Sequence, residues 1–288
     1  MLKTASVDIN GLNIRYLDTG NNRIVDYAIS SKQPQHYDPV LFIHGLGSSA
    51  DRWLDIPDAL SLLGSHALAL DLPGFGQSDK PENMEYTIRQ FGQIVASFTN
   101  KVGLINTNKK VSIVGHSLGG YIATQLATEY PNLVGKLVLI DTSGMLDGPT
   151  PLLQEYLEAA MNPTKQAVRA VLERLVADPI RIPDALVDGF IYRITRLEGA
   201  KHAFKSAFDN SVYTKIGVEK LKQINENKIP TLIIWGRQDR LIPLQYFKIF
   251  QEAIRDSQAV IVEDAGHAPF AEKPAIVYEI LRTFLSSQ

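Results

Sequence analysis

The sequence predicts an α/β fold: a mostly parallel central sheet flanked by helices, with a block of helices inserted after the middle of the chain. Three observations carry this. Six apolar runs of four or five residues recur along the 288-residue chain. Amphipathic segments with helical spacing lie between them. From about residue 144 to residue 217 the strand-like runs stop and only helical patterns remain. Short, mostly apolar runs fit strands covered on both faces. Alternation of such runs with helices implies a parallel sheet wrapped by helices.

The elements follow in order. Alternating segments near Ser6–Ile9 and Asn13–Asp18 flank Asn10-Gly11, a strong hairpin signal. Residues 20–39 are polar and carry Pro34 and Pro39, so a loop is expected there, with an extra strand around Ile24–Ile29 as an option. The apolar runs are Val40–Ile43, His66–Leu70, Val111–Val114, Leu137–Ile140, Thr231–Trp235 and Ala259–Val262. Thr87, with Gln90 three positions on, opens a helix through a capping box. Its apolar face is Ile88, Phe91, Ile94, Val95, Phe98 and Val102. Another helix follows Ser117 and stops at Tyr130-Pro131. Two more are expected near Leu244–Ile254 and Ala275–Leu285. Within the insertion the helical patterns are Leu152–Met161, Lys165–Ala177, Pro183–Arg196 and Ala200–Phe208.

Composition bounds the function. The net charge is −2, with 45 % hydrophobic and 21 % charged residues and no basic block, so no nucleic-acid footprint is present. No run approaches the ~18 apolar residues of a membrane span. The first twenty residues lack the apolar core of a signal peptide, and a cytoplasmic location is expected. The chain contains no cysteine, which excludes disulfides, thiolate catalysis and cysteine–zinc sites. No histidine pair has metalloprotease spacing, so no metal is expected.

The chemistry gathers where runs end. Gly115-His116-Ser117-Leu118-Gly119 matches G-x-S-x-G between a strand and a helix. A strand that turns at once into a helix pinches the backbone at the serine, and Gly115 and Gly119 relieve the crowding. The serine then sits at a helix N-terminus, which favours negative charge. A serine nucleophile needs a base, and the base needs an orienting group. His267 follows the last run and Asp239 the one before it. Both lie at strand carboxyl ends, where open α/β sheets collect their sites. The remaining need is an oxyanion hole. The backbone N–H groups of Leu46 and Leu118 are assigned to it, with His44 and Gly45 supporting the loop. His116 is expected to pack and hydrogen-bond. Asp141 is a rival orienting acid, placed second to Asp239.

At this point the chain resembles the α/β-hydrolase fold superfamily over nearly its whole length. The resemblance rests on HGLGSS (44–49), DLPGFGQSD (71–79), GHSLGG (115–120), WGRQDRLIP (235–243) and DAGHAPFAEKP (264–274), in family order. It implies an α/β-hydrolase fold with Ser117 as nucleophile, His267 as base and Asp239 as acid. The DLPGFG segment looks like the family's structural turn. Residues 1–143 and 218–288 would form the core domain, and 144–217 would be the family's helical cap. The implied activity is a carboxylesterase or monoglyceride-lipase-like serine hydrolase, acting without cofactor on a small-molecule ester. Apolar positions in the cap suggest an acyl pocket, with activity rising from acetate to about octanoate. A serine at the elbow argues against dehalogenases and epoxide hydrolases of the family, which use aspartate there. Thioesterase, lactonase and carbon–carbon hydrolase chemistry share the triad. Ala268 stands where the carbon–carbon hydrolases typically carry an aromatic residue. A small-ligand receptor on the same scaffold is the non-enzymatic alternative.

Overall fold

The computed structural model of the protein describes residues 2–20, 38–53, 55–105, 109–179 and 182–286. In chain order the elements are β1 (Lys3–Ile9), β2 (Leu12–Asp18), β3 (Val40–Ile43), α1 (Ile56–Ser61), β4 (Ala67–Leu70), α2 (Ile88–Lys101), β5 (Val111–His116) and α3 (Leu118–Glu129). There follow β6 (Val134–Ile140), α4 (Pro151–Met161), α5 (Lys165–Leu175), α6 (Asp184–Thr195), α7 (Ala200–Val212) and α8 (Val218–Glu226). The chain closes with β7 (Thr231–Gly236), α9 (Gln245–Ala253), β8 (Gln258–Val262), α10 (Pro269–Glu272) and α11 (Pro274–Ser286). A 3-10 turn, Ala50–Trp53, precedes α1.

The eight strands form one sheet in the order β1-β2-β4-β3-β5-β6-β7-β8. Only β2 runs against its neighbours. The β1–β2 hairpin turns on Asn10 and Gly11, both at positive φ (55° and 84°), the backbone that a two-residue primed turn requires. From β3 the chain steps outward to β4 on one side, then returns to β5 and proceeds to β8 on the other. The crevice between the carboxyl ends of β3 and β5 is therefore the switch point of the sheet, where such folds bind ligands.

Alternate residues of each strand supply two cores. In β3, Leu41 and Ile43 face the cluster beneath α2, α3 and the inserted helices, whereas Val40 and Phe42 face α1, α10 and α11. All four are buried, which is why the run shows no polar alternation. Helix α2 begins as anticipated. Thr87 Oγ1 accepts from Gln90 N at 3.2 Å, and Gln90 Oε1 accepts from Thr87 N at 3.2 Å.

Some boundaries differ from the sequence expectation. β4 starts at Ala67, one residue late, and the His66 ring before it reaches Asp18, with Nε2 2.7 Å from Oδ1. Helix α5 ends at Leu175, two residues early, and Val176 is already extended. Helix α7 runs on to Val212, carrying Ser211 and Val212 into the interior. The strand considered around 24–29 lies outside the described residues. Between residues 144 and 217 the described residues contain helices α4–α7 and no strand. These helices press on loops at the carboxyl ends of the strands: Tyr156 Oη donates to Leu46 O at 3.1 Å, and His267 N donates to Leu175 O at 2.7 Å.

Candidate active site

β5 delivers Ser117 through a sharp turn. Its backbone sits at φ 53° and ψ −117°, a strained conformation for a residue with a side chain. The strain persists because Ser117 N donates to Ile140 O at 3.0 Å and Ser117 O accepts from Gly120 N and Ser143 N. Gly115 and Gly119 make the turn possible. A Cβ on Gly115 would run into the Gly119 carbonyl, and one on Gly119 into the Ile43 carbonyl. The elbow is thus packed backbone against backbone, with β3 directly alongside.

The loop after β3 carries the second half of the site. His44 is fully enclosed, and burial lowers its pKa, so it is a neutral imidazole. Its Nδ1–H donates to Gly45 O at 2.8 Å, and its Nε2 accepts from Leu72 N at 3.0 Å. One ring therefore ties the 44–47 loop to the turn after β4. That turn is held in its own right. Asp71 accepts from Ala50 N at 2.6 Å and Gln77 N at 2.8 Å, and it faces Arg15, which also forks onto Asp51. Among the described residues, the N–H groups of Leu46 and Leu118 donate to no backbone carbonyl, and both residues line the same cavity as Ser117.

β7 and β8 supply the titratable pair. His267 Nδ1 lies 2.8 Å from Asp239 Oδ2. The other oxygen of Asp239 accepts from Leu241 N at 2.8 Å and Ile242 N at 3.0 Å, so the carboxylate is fixed on both sides. The imidazole borders the cavity that Ser117 lines, and no hydrogen bond joins the two side chains in this geometry. His116, the other ring at this position, is committed elsewhere. Its Nε2 lies 2.6 Å from His267 O, and burial together with His267 drives its pKa well down. It packs against His267 and Phe270 with ring centroids 4.8 and 4.9 Å away.

Asp141, at the end of β6, completes the buried cluster. Its Oδ1 accepts from Gly236 N at 2.9 Å, and its Oδ2 receives no hydrogen bond and faces Asp239, to which a proton on Asp141 can be donated. Donor atoms of Asp141, Asp239 and His267 all lie within 4.8 Å of one another. Burial, reinforced by the neighbouring Asp239, raises the Asp141 carboxyl well above its ordinary range, so it holds a proton.

Three contributors escaped the sequence reading. Glu272 accepts from Ala177 N at 2.8 Å, Gly266 N at 2.9 Å and Ala268 N at 3.3 Å, and so braces the histidine loop against the end of α5. Its partners lie between four and 95 residues away, which no local pattern reveals. Arg52 and Arg193 line the cavity, one from the 3-10 turn and one from α6. The cavity itself measures about 120 Å³ and is otherwise walled chiefly by aliphatic and aromatic side chains such as Leu172, Leu186, Leu241 and Phe190.

A sheet with this switch point, an elbow serine, and a histidine–carboxylate pair opening on one cavity define the class: a hydrolase of the α/β type. The chain belongs to the α/β hydrolase fold family, whose model matches residues 38–274. It is 28 % identical over 259 residues to Lipase 1 of Psychrobacter immobilis, an alignment covering 87 % of this chain and 78 % of that one. A membrane phospholipase A described as a bacterial virulence factor superposes with a TM-score of 0.78 at 29 % identity, over 99 % of this chain and 86 % of its own. The meta-cleavage product hydrolase of Pseudomonas fluorescens IP01 shares the fold, with a TM-score of 0.82 at 24 % identity over 97 % and 96 % of the two chains. Among the described residues no helix is long and apolar enough to cross a membrane.

Proposed function

We propose that the protein is a serine hydrolase that cleaves a carboxylic ester of a small, largely apolar acyl group through an acyl-enzyme. The observation that carries the reading is the His267–Asp239 contact of 2.8 Å, with the imidazole opening on the cavity that the strained Ser117 lines. In this mechanism Ser117 swings its hydroxyl to His267 Nε2 and attacks the ester carbonyl as the imidazole takes the proton. The N–H groups of Leu46 and Leu118 receive the developing oxyanion. His267 returns the proton to the departing alcohol, and a water molecule repeats the attack on the acyl-serine. Asp239 keeps the proton on Nδ1 and stabilises the imidazolium. Residues 144–217 act as a cap that closes the cavity, and they and the core of residues 1–143 and 218–288 are the two functional parts of the chain. The similarity to lipases supports an ester as the substrate.

Hydrolysis of p-nitrophenyl esters from acetate to palmitate, wild type beside Ser117→Ala, tests this directly. The variant should lose turnover by a factor on the order of 10⁴ or more. Retention of near-wild-type turnover would remove Ser117 from the mechanism.

A further inference from the structure

The cavity holds two cations and no anion to match them. Arg52 and Arg193 both line it, and its lining among the described residues includes no aspartate or glutamate. Among the described residues neither guanidinium forms a hydrogen bond or an ion pair with another side chain, and Arg193 Nε is buried without a partner. The carboxylates near enough to act on them are already engaged. Asp51 and Asp71 hold Arg15 and backbone N–H groups, and Glu272 holds the three N–H groups of the histidine loop. Burial and mutual repulsion both weigh against the charge on Arg52, and burial does the same to Arg193. Two half-buried guanidiniums in one cavity, Arg52 feeling the repulsion of Arg193, are less favourable in the free protein than with an anion to pair them. Arg193 also borders a small cleft beside Gly47 and Ser48, next to the Leu46 loop.

We propose that Arg52 and Arg193 form a carboxylate-binding subsite, and that the substrate is an ester that carries a free carboxylate, such as the half-ester of a short dicarboxylic acid. A carboxylate matches the planar forks of two guanidiniums, and its charge offsets their repulsion. The cavity volume of about 120 Å³ favours a short chain between that carboxylate and the scissile carbonyl. The inference rests on the ester-hydrolase reading for the bond cleaved, but not for the anion bound.

The test pairs two readouts. The first compares kcat/KM for mono-p-nitrophenyl glutarate and p-nitrophenyl pentanoate in wild type, Arg52→Met and Arg193→Met. The second measures the rise in melting temperature that hexanoate and hexanamide give to the same proteins, without turnover. Wild type should prefer the anionic ester, and either methionine variant should lower the anionic-to-neutral ratio by roughly 10- to 100-fold, the range for one charge-assisted hydrogen bond. Arg→Lys at either position should recover part of that ratio, because it keeps the charge and loses the fork. Hexanoate should stabilise wild type more than hexanamide does. Equal stabilisation by both ligands, or a ratio that the variants leave where wild type has it, overturns the subsite. Arg-dependent hexanoate binding without hydrolysis of any ester would uphold the subsite and overturn the ester reading. If the methionine variants do not fold, the hexanoate–hexanamide comparison on wild type decides alone.

Discussion

Asp141 is the residue whose role the structure changes most. In sequence it competes with Asp239 for the task of orienting the base. In the fold both carboxyls are buried together, and one of them must give up its charge. Asp239 has two backbone N–H groups and the imidazole, while Asp141 has the single N–H of Gly236. Asp141, with less to stabilise a negative charge, is the carboxyl pushed toward its neutral form. Its pKa is raised in the folded protein, so the stability linked to that proton is whole below the ordinary carboxylate range. It declines as pH climbs from about 4 toward the raised value. Asp141→Asn keeps the acceptor for Gly236 N and removes the titration. The variant should melt with wild type near pH 3.5 and about 2–4 °C above it at pH 8. A difference that is the same at both pH values would show that Asp141 does not hold the proton.

Single elements explain how much of the site was legible. β3, β5 and β7 could be found because a strand buried on both faces writes its length in apolar residues, and β8, only half-buried, because its Ala259–Val262 run is apolar all the same. The elbow could be found because its glycines are demanded by local crowding. Helix α2 announced its start through Thr87 and Gln90. Helices α1 and α8 gave no comparable signal: α1 has only six residues, and α8 buries just Leu221 and Ile224. The bracing of the histidine loop was invisible for a different reason, since Glu272 joins segments that meet only after folding. Glu272→Gln leaves one acceptor oxygen for three donors and turns an amide toward the rest. It should destabilise the protein by ~1–3 kcal/mol for each N–H left unpaired and reduce kcat about tenfold by loosening His267. Wild-type kcat with a lowered melting temperature would reduce Glu272 to a structural residue.

At the scale of the molecule, the sheet and the inserted helices divide the work. The sheet fixes Ser117, Asp239 and His267 at the ends of three strands, and the segment 144–217 supplies most of the apolar wall. The cavity of about 120 Å³ is close to one that holds a single benzene ring, ~150 Å³. Ester turnover should therefore peak at a short acyl chain and fall toward palmitate. Leu186 lies on α6, lines the cavity and is only partly enclosed, so shortening it gives room without gutting the core. Leu186→Ala should shift the ratio of kcat/KM for octanoate over butanoate upward by roughly tenfold, the worth of one or two methylenes in an apolar pocket. An unchanged chain-length profile would place the acyl group elsewhere.

The hydrogen bond from His267 N to Leu175 O joins the last loop of the core to the end of α5. The inserted helices are thus part of the scaffold of the base as well as the wall of the pocket. Exchange of this segment with that of a relative would transplant a backbone carbonyl together with a specificity. A chimera that fails to present an acceptor at the position of Leu175 would leave a buried donor orphaned beside the imidazole. Tyr156 on α4 makes a comparable tie to Leu46 O, so an exchanged segment has to reproduce contacts to both halves of the site.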